Sequence, residues 1–279
     1  MNPFTLCLNT STIRPASLED KIRAAATAGY QAVELWSDDL TAHEAAGRSL
    51  SEVSAWVEDA GLRVASVIAL FNWMDSKDGA EKHEAFFEAR RRMEQAAALG
   101  ARHIVASPVP DSDALDMQRA AGRYRELLEL GREIGVIPAM EFLGFFHNVY
   151  RLDQALQIAH AAEHEDACIV LDPFHLFRGG SGFDKIADVP ANMIGICHFN
   201  DAPASPPRID QRDEHRVYPG DGILPLVQML RNLAAGGYQG ALSLELFNPS
   251  YWEEDAASVA SVGLEKMKAV ISTSQLSDR

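Results

Sequence analysis

Eight short apolar runs, each followed by a helix-like stretch, give this chain a repeating strand–helix beat. That beat constrains the fold more than any single motif does. The strand candidates span residues 5–9, 32–36, 63–70, 103–107, 137–142, 168–172, 195–200 and 242–247. Helical stretches include 18–28, 51–59, 82–99, 116–134, 152–162 and 224–235. Glycines end several of them, as in AAATAGY, EDAGLR, AALGAR, REIGV and AAGGYQG, where a left-handed cap carries little steric cost. Strands alternating with helices imply a parallel sheet, and eight is the number that closes into a (β/α)8 TIM barrel. A doubly wound open sheet has the same alternation but usually carries a glycine-rich phosphate loop after its first strand. Here that position reads NTSTIRPASLED, with neither GxGxxG nor GxxxxGK, so the barrel is the expected fold.

The chain of 279 residues, 47% of them hydrophobic, is long enough for a large core, and barrels of this size form one domain. No Pro/Gly/Ser-rich linker divides it, so residues 1–279 read as a single unit. The long irregular segment is 201–222, with prolines at 203, 206, 207 and 219; loops that follow barrel strands build the active face. The last residues, SQLSDR, read as a frayed tail. A net charge of -15 argues against a nucleic-acid partner, since phosphate backbones attract cationic surfaces. No apolar run approaches the ~20 residues that span a bilayer. The start, MNPFTLCLNTS, lacks the pattern of a signal peptide, so the cytoplasm is the expected location. Cys7, Cys168 and Cys197 are odd in number and form no CxxC pair, which fits a reducing compartment.

Four runs in the second half close on a metal-type ligand: Glu141 in AMEF, Asp172 in CIVLD, His198 in GICHF and Glu245 in LSLEL. Such groups are costly to bury unpaired, and four at successive strand ends point to one shared cation. Strand alternation puts Ala139 with Glu141, and Ser243 with Glu245, on the lumen side. Met140, Phe142, Leu244 and Leu246 then face the helices, and Cys197 lies on the face opposite His198 as outer-layer packing. Taken singly each ligand has a plainer reading: a helix cap or arginine partner for the glutamates, a turn residue for Asp172, a hydrogen-bonded core histidine for His198. Oxygen-rich ligation with one imidazole suits Mn²⁺, Mg²⁺ or Co²⁺, and also Zn²⁺. Open coordination positions would accept the hydroxyl and carbonyl oxygens of a hydroxy-ketone and acidify the adjacent C–H, giving an enediolate.

These segments resemble the xylose-isomerase-like barrel superfamily of sugar isomerases and epimerases, and within it the inosose (2-keto-myo-inositol) isomerases of inositol catabolism. The resemblance is carried by LCLNTST, AMEFLG, IVLDPFHLFRGGS, CHFNDAP, DEHRVYPGDGILPL and YQGALSLELFNPSYW, over essentially the whole chain and most densely from Ala139 onward. It implies that Glu141, Asp172, His198 and Glu245 hold one divalent metal, and that Glu141 and Glu245 exchange protons from opposite sides of the guest. It also implies that His175, of the DxxH motif, touches a substrate hydroxyl or orients Asp172. Arg216 in HRVYPG matches a substrate-contacting or loop-holding arginine; its plainer reading is an ion pair with Asp213 or Asp201. His147 stands where many ketose epimerases of the superfamily carry a second glutamate, and related dehydratases and hydroxypyruvate isomerases usually have glutamine in place of His198. The resemblance further implies a homo-oligomer, a dimer or tetramer.

Asn9 and Glu34, at the ends of the first two strands, are expected to face the mouth. Glu34 would contact substrate hydroxyls or pair with Arg14. Trp36, Phe71, Trp73 and Trp252 lie in or beside post-strand loops, where a ring can cover the apolar face of a sugar or simply pack the loop. The expected activity is isomerisation of a polyhydroxy ketone, a small-molecule sugar or cyclitol, with inosose the leading substrate. The alternatives are a lyase acting on inosose or a 3-keto-sugar, and a ketose 3-epimerase. A metal-dependent apurinic endonuclease, which needs more histidines and a cationic face, conflicts with the acidic charge.

Overall fold

Runs that are apolar on both faces form strands buried on both faces, and the computed structural model, which describes residues 3–112 and 115–276, closes them into one barrel. The strands are β1 (Thr5–Asn9), β2 (Ala32–Trp36), β3 (Arg63–Leu70), β4 (His103–Ala106), β5 (Ile137–Met140), β6 (Cys168–Leu171), β7 (Ile194–Phe199) and β8 (Ala241–Leu244). All pairs are parallel and follow sequence order; β8 returns to β1, with Ser243 opposite both Cys7 and His198.

The helices are α1 (Leu18–Ala28), α2 (Ser37–Ala45), α3 (Leu50–Asp59), α4 (Ala80–Ala98), α5 (Met117–Ile134), α6 (Leu152–Ala161), α7 (Pro173–Gly179), α8 (Leu226–Ala235), α9 (Pro249–Trp252) and α10 (Ala256–Thr273). Their ends follow local chemistry. Asp116 accepts hydrogen bonds from the backbone N–H groups of Gln118 and Arg119 at the start of α5, and Gly135 ends that helix at φ +92°. α10 packs on α1 and closes the helical ring. Among the described residues no helix is long and apolar enough to cross a membrane.

Two layers of core follow from strand alternation. Leu35, Val67, Ile104, Met140, Leu171, Cys197 and Leu244 face the helices. Cys7, Ala32, Ile68, Val105, Ala139, Val170 and Ile196 fill the lumen. The expected positions of Met140, Phe142, Leu246 and Cys197 in the outer layer are thus met. The lumen is narrow at Gly195: a Cβ there would lie 2.9 Å from the Ala139 Cβ and 3.0 Å from the Cys168 Sγ.

The ladders stop earlier than the apolar runs. β5, β6 and β8 end one residue before Glu141, Asp172 and Glu245, although the Glu141 N–H still donates to the Ala106 carbonyl at 3.0 Å. Four helices went beyond the sequence reading: α2, α7, α9 and α10. Two of these are short turns nucleated by an Asx cap and a proline: Asp172 accepts from the His175 N–H, and Asn248 accepts from the Ser250 N–H. The beginning of the expected frayed tail is tied down, since Ser274 is buried and its hydroxyl donates to the Ile271 carbonyl; residues 277–279 lie outside the described set.

The 201–222 segment is irregular yet anchored. The Asp201 carboxylate accepts from the N–H groups of Ala202, Gly220, Gly222 and Leu224. A Cβ at Gly222 would meet that carboxylate oxygen at 2.3 Å. The hub holds the chain so that Arg216, two-thirds of the way along the segment, enters the barrel mouth. The Arg216 carbonyl is fixed in turn by the Asn248 side chain.

Candidate metal centre

Glu141, Asp172, His198 and Glu245, from four successive strands, bring one ligand atom each to within 4.8 Å of one another, and all four are buried. With metal–ligand bonds of roughly 2.0–2.2 Å, ligand atoms around one ion lie within about 4.4 Å across it, so the spread fits a single cation after small adjustments. The Nδ1 of His198 is 2.9 Å from Glu245 Oε2, 3.4 Å from Asp172 Oδ2 and 3.5 Å from Glu141 Oε1. Neither imidazole nitrogen makes an aligned hydrogen bond, although the ring is fully buried. Buried polar atoms are nearly always satisfied. A cation at the point where three carboxylates and Nδ1 converge would satisfy it, so the donor set fits a divalent metal.

Arg216 enters the same cluster and is 1% exposed. Its Nη1 donates to Asp172 Oδ2 at 2.9 Å and Glu245 Oε2 at 2.5 Å, and its Nη2 to Asp213 Oδ1 at 2.6 Å. The pairing with Asp213 is therefore present and the one with Asp201 is not. Nη2 also lies 2.9 Å from His175 Nε2. The Gly144 N–H approaches His175 Nδ1 at 3.2 Å, so the ring faces a donor at each nitrogen, and the shorter contact is that of the guanidinium, which can only donate, to Nε2. Asn200, which the sequence reading missed, donates to Asp172 Oδ2 and accepts from the Phe174 N–H. Its spacing of two from His198 on one strand was the available signal.

The charges set each other. Burial pushes the Glu141 carboxyl up to about 7, reinforced by Glu245 and Asp172 and opposed by His198. Burial also works against the charge on Asp172, but Arg216, His175 and His198 hold it well below the usual carboxylate range. For His198 burial opposes the imidazolium, while Glu245 and Glu34 outweigh it and hold its pKa well above the ordinary value. Burial lowers His175 to about 4, so that ring is neutral at pH 7.

Two expected guest contacts are corrected. Trp73 is fully buried, its indole N–H donates to the Ser107 carbonyl at 2.8 Å, and its ring packs 5.8 Å from Tyr124; it is an outer-layer core residue. Glu34 is fully buried behind His198, with Oε2 3.4 Å from Nε2, while Arg14 stacks over Trp36 and Trp252 instead of pairing with it. Asn9 is also buried, donating to Glu34 and Glu245 and accepting from the Trp36 indole. His147 lies away from the cluster, exposed and paired with Asp111. A cavity of about 730 Å³ opens beside the mouth, under the β3–α4 loop, lined by Phe71, Asn72, Ser76, Glu84, Arg92 and Pro110; none of the four ligand residues lines it.

Comparison with known proteins agrees with this fold. The chain is 28% identical over 273 residues to the inosose isomerase of Halalkalibacterium halodurans, covering 96% of each protein. It is 26% identical to the 3-dehydroshikimate dehydratase of Pseudomonas putida, covering 90% of this chain and 39% of that longer protein. The crystal structure of the IolI protein with a bound zinc atom superposes with a TM-score of 0.88 at 24% identity, over 97% of this chain and 99% of that one, and shows a shared fold. The xylose isomerase-like TIM barrel family matches residues 22–269, and this chain belongs to it.

Proposed function

We propose that this protein is a divalent-metal-dependent isomerase of a polyhydroxy ketone, with an inosose-like cyclitol as the leading substrate. The observation that carries the reading is the convergence of Glu141, Asp172, His198 and Glu245 on one buried point. The inosose isomerase relatives, matched over nearly their full length, supply the substrate class. Mn²⁺, Zn²⁺, Mg²⁺ or Co²⁺ would suit the four ligands and would polarise the hydroxy-ketone oxygens, acidifying the neighbouring C–H.

The chain's own groups do the rest. The Arg216 guanidinium, held by Asp172, Glu245, Asp213 and His175, orients a substrate oxygen from one side. Glu141 carries the proton. It is the most exposed of the four, at 7%, and so the carboxylate that a guest in the mouth reaches first. It takes the proton from the hydroxyl-bearing carbon beside the carbonyl, leaving an enediolate. The hydroxyl proton passes to the other oxygen. Glu245, in our reading, delivers a proton drawn from solvent to the former carbonyl carbon from the opposite face, while Glu141 returns its own to solvent. The working location is the cytoplasm, on a small diffusible ketone.

The test is a screen of inososes and 3-keto-sugars with metal-reconstituted protein, followed by NMR in D₂O. Isomerisation moves the ketone and places deuterium at the carbon that is reprotonated. Unchanged protons on every ketone tried would defeat the reading. A second reading, elimination of a β-hydroxyl, is favoured by the 3-dehydroshikimate dehydratase relatives; it alone would yield an unsaturated product that absorbs in the ultraviolet.

A further inference from the structure

We propose that Glu34 is a positioning residue for the metal ligand His198, accepting the Nε2 proton so that the Nδ1 lone pair faces the cation. This rests on the divalent-metal reading and goes past it, to a residue that touches neither guest nor ion.

The His198 ring stands between two groups of carboxylates. Nδ1 faces Glu141, Asp172 and Glu245 at 2.9–3.5 Å, and Nε2 faces Glu34 Oε2 at 3.4 Å. A neutral imidazole has one N–H and one lone pair. Ligation through Nδ1 therefore puts the proton on Nε2, and a buried N–H needs an acceptor. Glu34 is the carboxylate in reach on that side.

Nothing else explains Glu34. It is fully buried on β2, and no arginine or lysine pairs with it; its ion-pair contact among the described residues is His198. A buried carboxylate is costly unless it is paired, and the pairing group here is His198. The neighbours hold it in place. Asn9 Nδ2 from β1 donates to Oε2 at 2.9 Å and Ser243 Oγ from β8 donates to the same oxygen at 2.7 Å. Asn9 Nδ2 also reaches Glu245 Oε1 at 3.1 Å, so one amide ties the support of His198 to a second ligand. The 3.4 Å contact is long for a hydrogen bond, and a small rotation of the ring onto a cation closes it.

Titration of the metal-stripped full chain with Zn²⁺ and with Mn²⁺, by calorimetry, tests this on wild type, Glu34→Gln and Ser243→Ala. Glu34→Gln keeps the shape and a carbonyl acceptor but loses the charge, and its affinity is expected to fall about 10–100-fold. Ser243→Ala frees one bond to Glu34 and is expected to weaken binding less than tenfold, which keeps the test open if Glu34→Gln does not fold. Thermal melts add a readout that a structural role would move differently. The Zn²⁺-dependent rise in Tm, measured against each protein's own metal-free Tm, shrinks in Glu34→Gln. Wild-type affinity in both variants, or a lowered metal-free Tm with intact affinity, overturns the inference. Wild type that takes up neither ion overturns the metal reading itself.

Discussion

β5, β6, β7 and β8 deliver Glu141, Asp172, His198 and Glu245 to one point, whereas β1 to β4 end in Asn9, Trp36, Leu70 and Ala106 and supply no ligand to the cluster. Both halves have the same strand–helix repeat and the same buried mouth. Their polar groups differ in what they face. In the second half they face one another across the lumen. In the first half Asn9 and Glu34 face the backs of the ligands, and Trp73 faces the helices. On the proposed reading the fold separates ligation from support, with the second half holding the cluster and the first half packing behind it.

The largest effect belongs to the second half. Glu141→Gln should keep the barrel, because the amide fills the same volume and can still ligate through its carbonyl. Turnover should fall on the order of 10²–10⁴-fold, the usual contribution of a positioned proton carrier. Steady-state kinetics with the identified ketone, beside circular dichroism, checks this; near wild-type turnover would move the proton chemistry to another residue.

The next effect belongs to the first half and concerns stability. Trp73→Ala removes a fully buried ring and its hydrogen bond to Ser107, and should destabilise the protein by about 3–5 kcal/mol in urea unfolding. Metal affinity and KM should hold at temperatures where the variant stays folded. A rise in KM with little loss of stability would instead return Trp73 to the guest and blur the contrast between the halves.

Much of this was legible in the sequence. The eight strands were visible because strands buried on both faces read as continuous apolar runs, and the four residues that cluster at the mouth because a charged residue closing such a run is conspicuous. Ladder ends were less legible, since β5, β6 and β8 end before Glu141, Asp172 and Glu245 while apolar neighbours such as Phe142 and Leu246 continue the pattern. The roles of Glu34 and Trp73 were not legible. Their sequence positions place them near the mouth, but only the packing of β1, β2, β7 and β8 turns Glu34 toward His198, and only the β3–α4 loop turns Trp73 toward Tyr124. Arg216 sits in the middle of an irregular segment, and its aim depends on the Asp201 hub, which no local pattern reveals.

The smallest effect separates the floor of the first half from its mouth. His103, at the start of β4, points into the lumen beside Gly195, and burial, with Arg102 nearby, lowers its pKa to about 4. The sign follows from linkage. Above pH ~6.5 the ring is neutral in both folded and unfolded chains and adds nothing. As pH falls below that, the unfolded chain takes the proton first, so stability declines between about 6.5 and 4 and levels off below. Urea unfolding of wild type and His103→Gln at pH 7 and pH 5 isolates this, because every group at the mouth is common to both proteins. Wild type should lose about 1–2 kcal/mol more than the variant across that interval. Equal losses would mean that the floor does not hold His103 neutral, and that the pH sensitivity of this barrel arises wholly among the carboxylates at its other end.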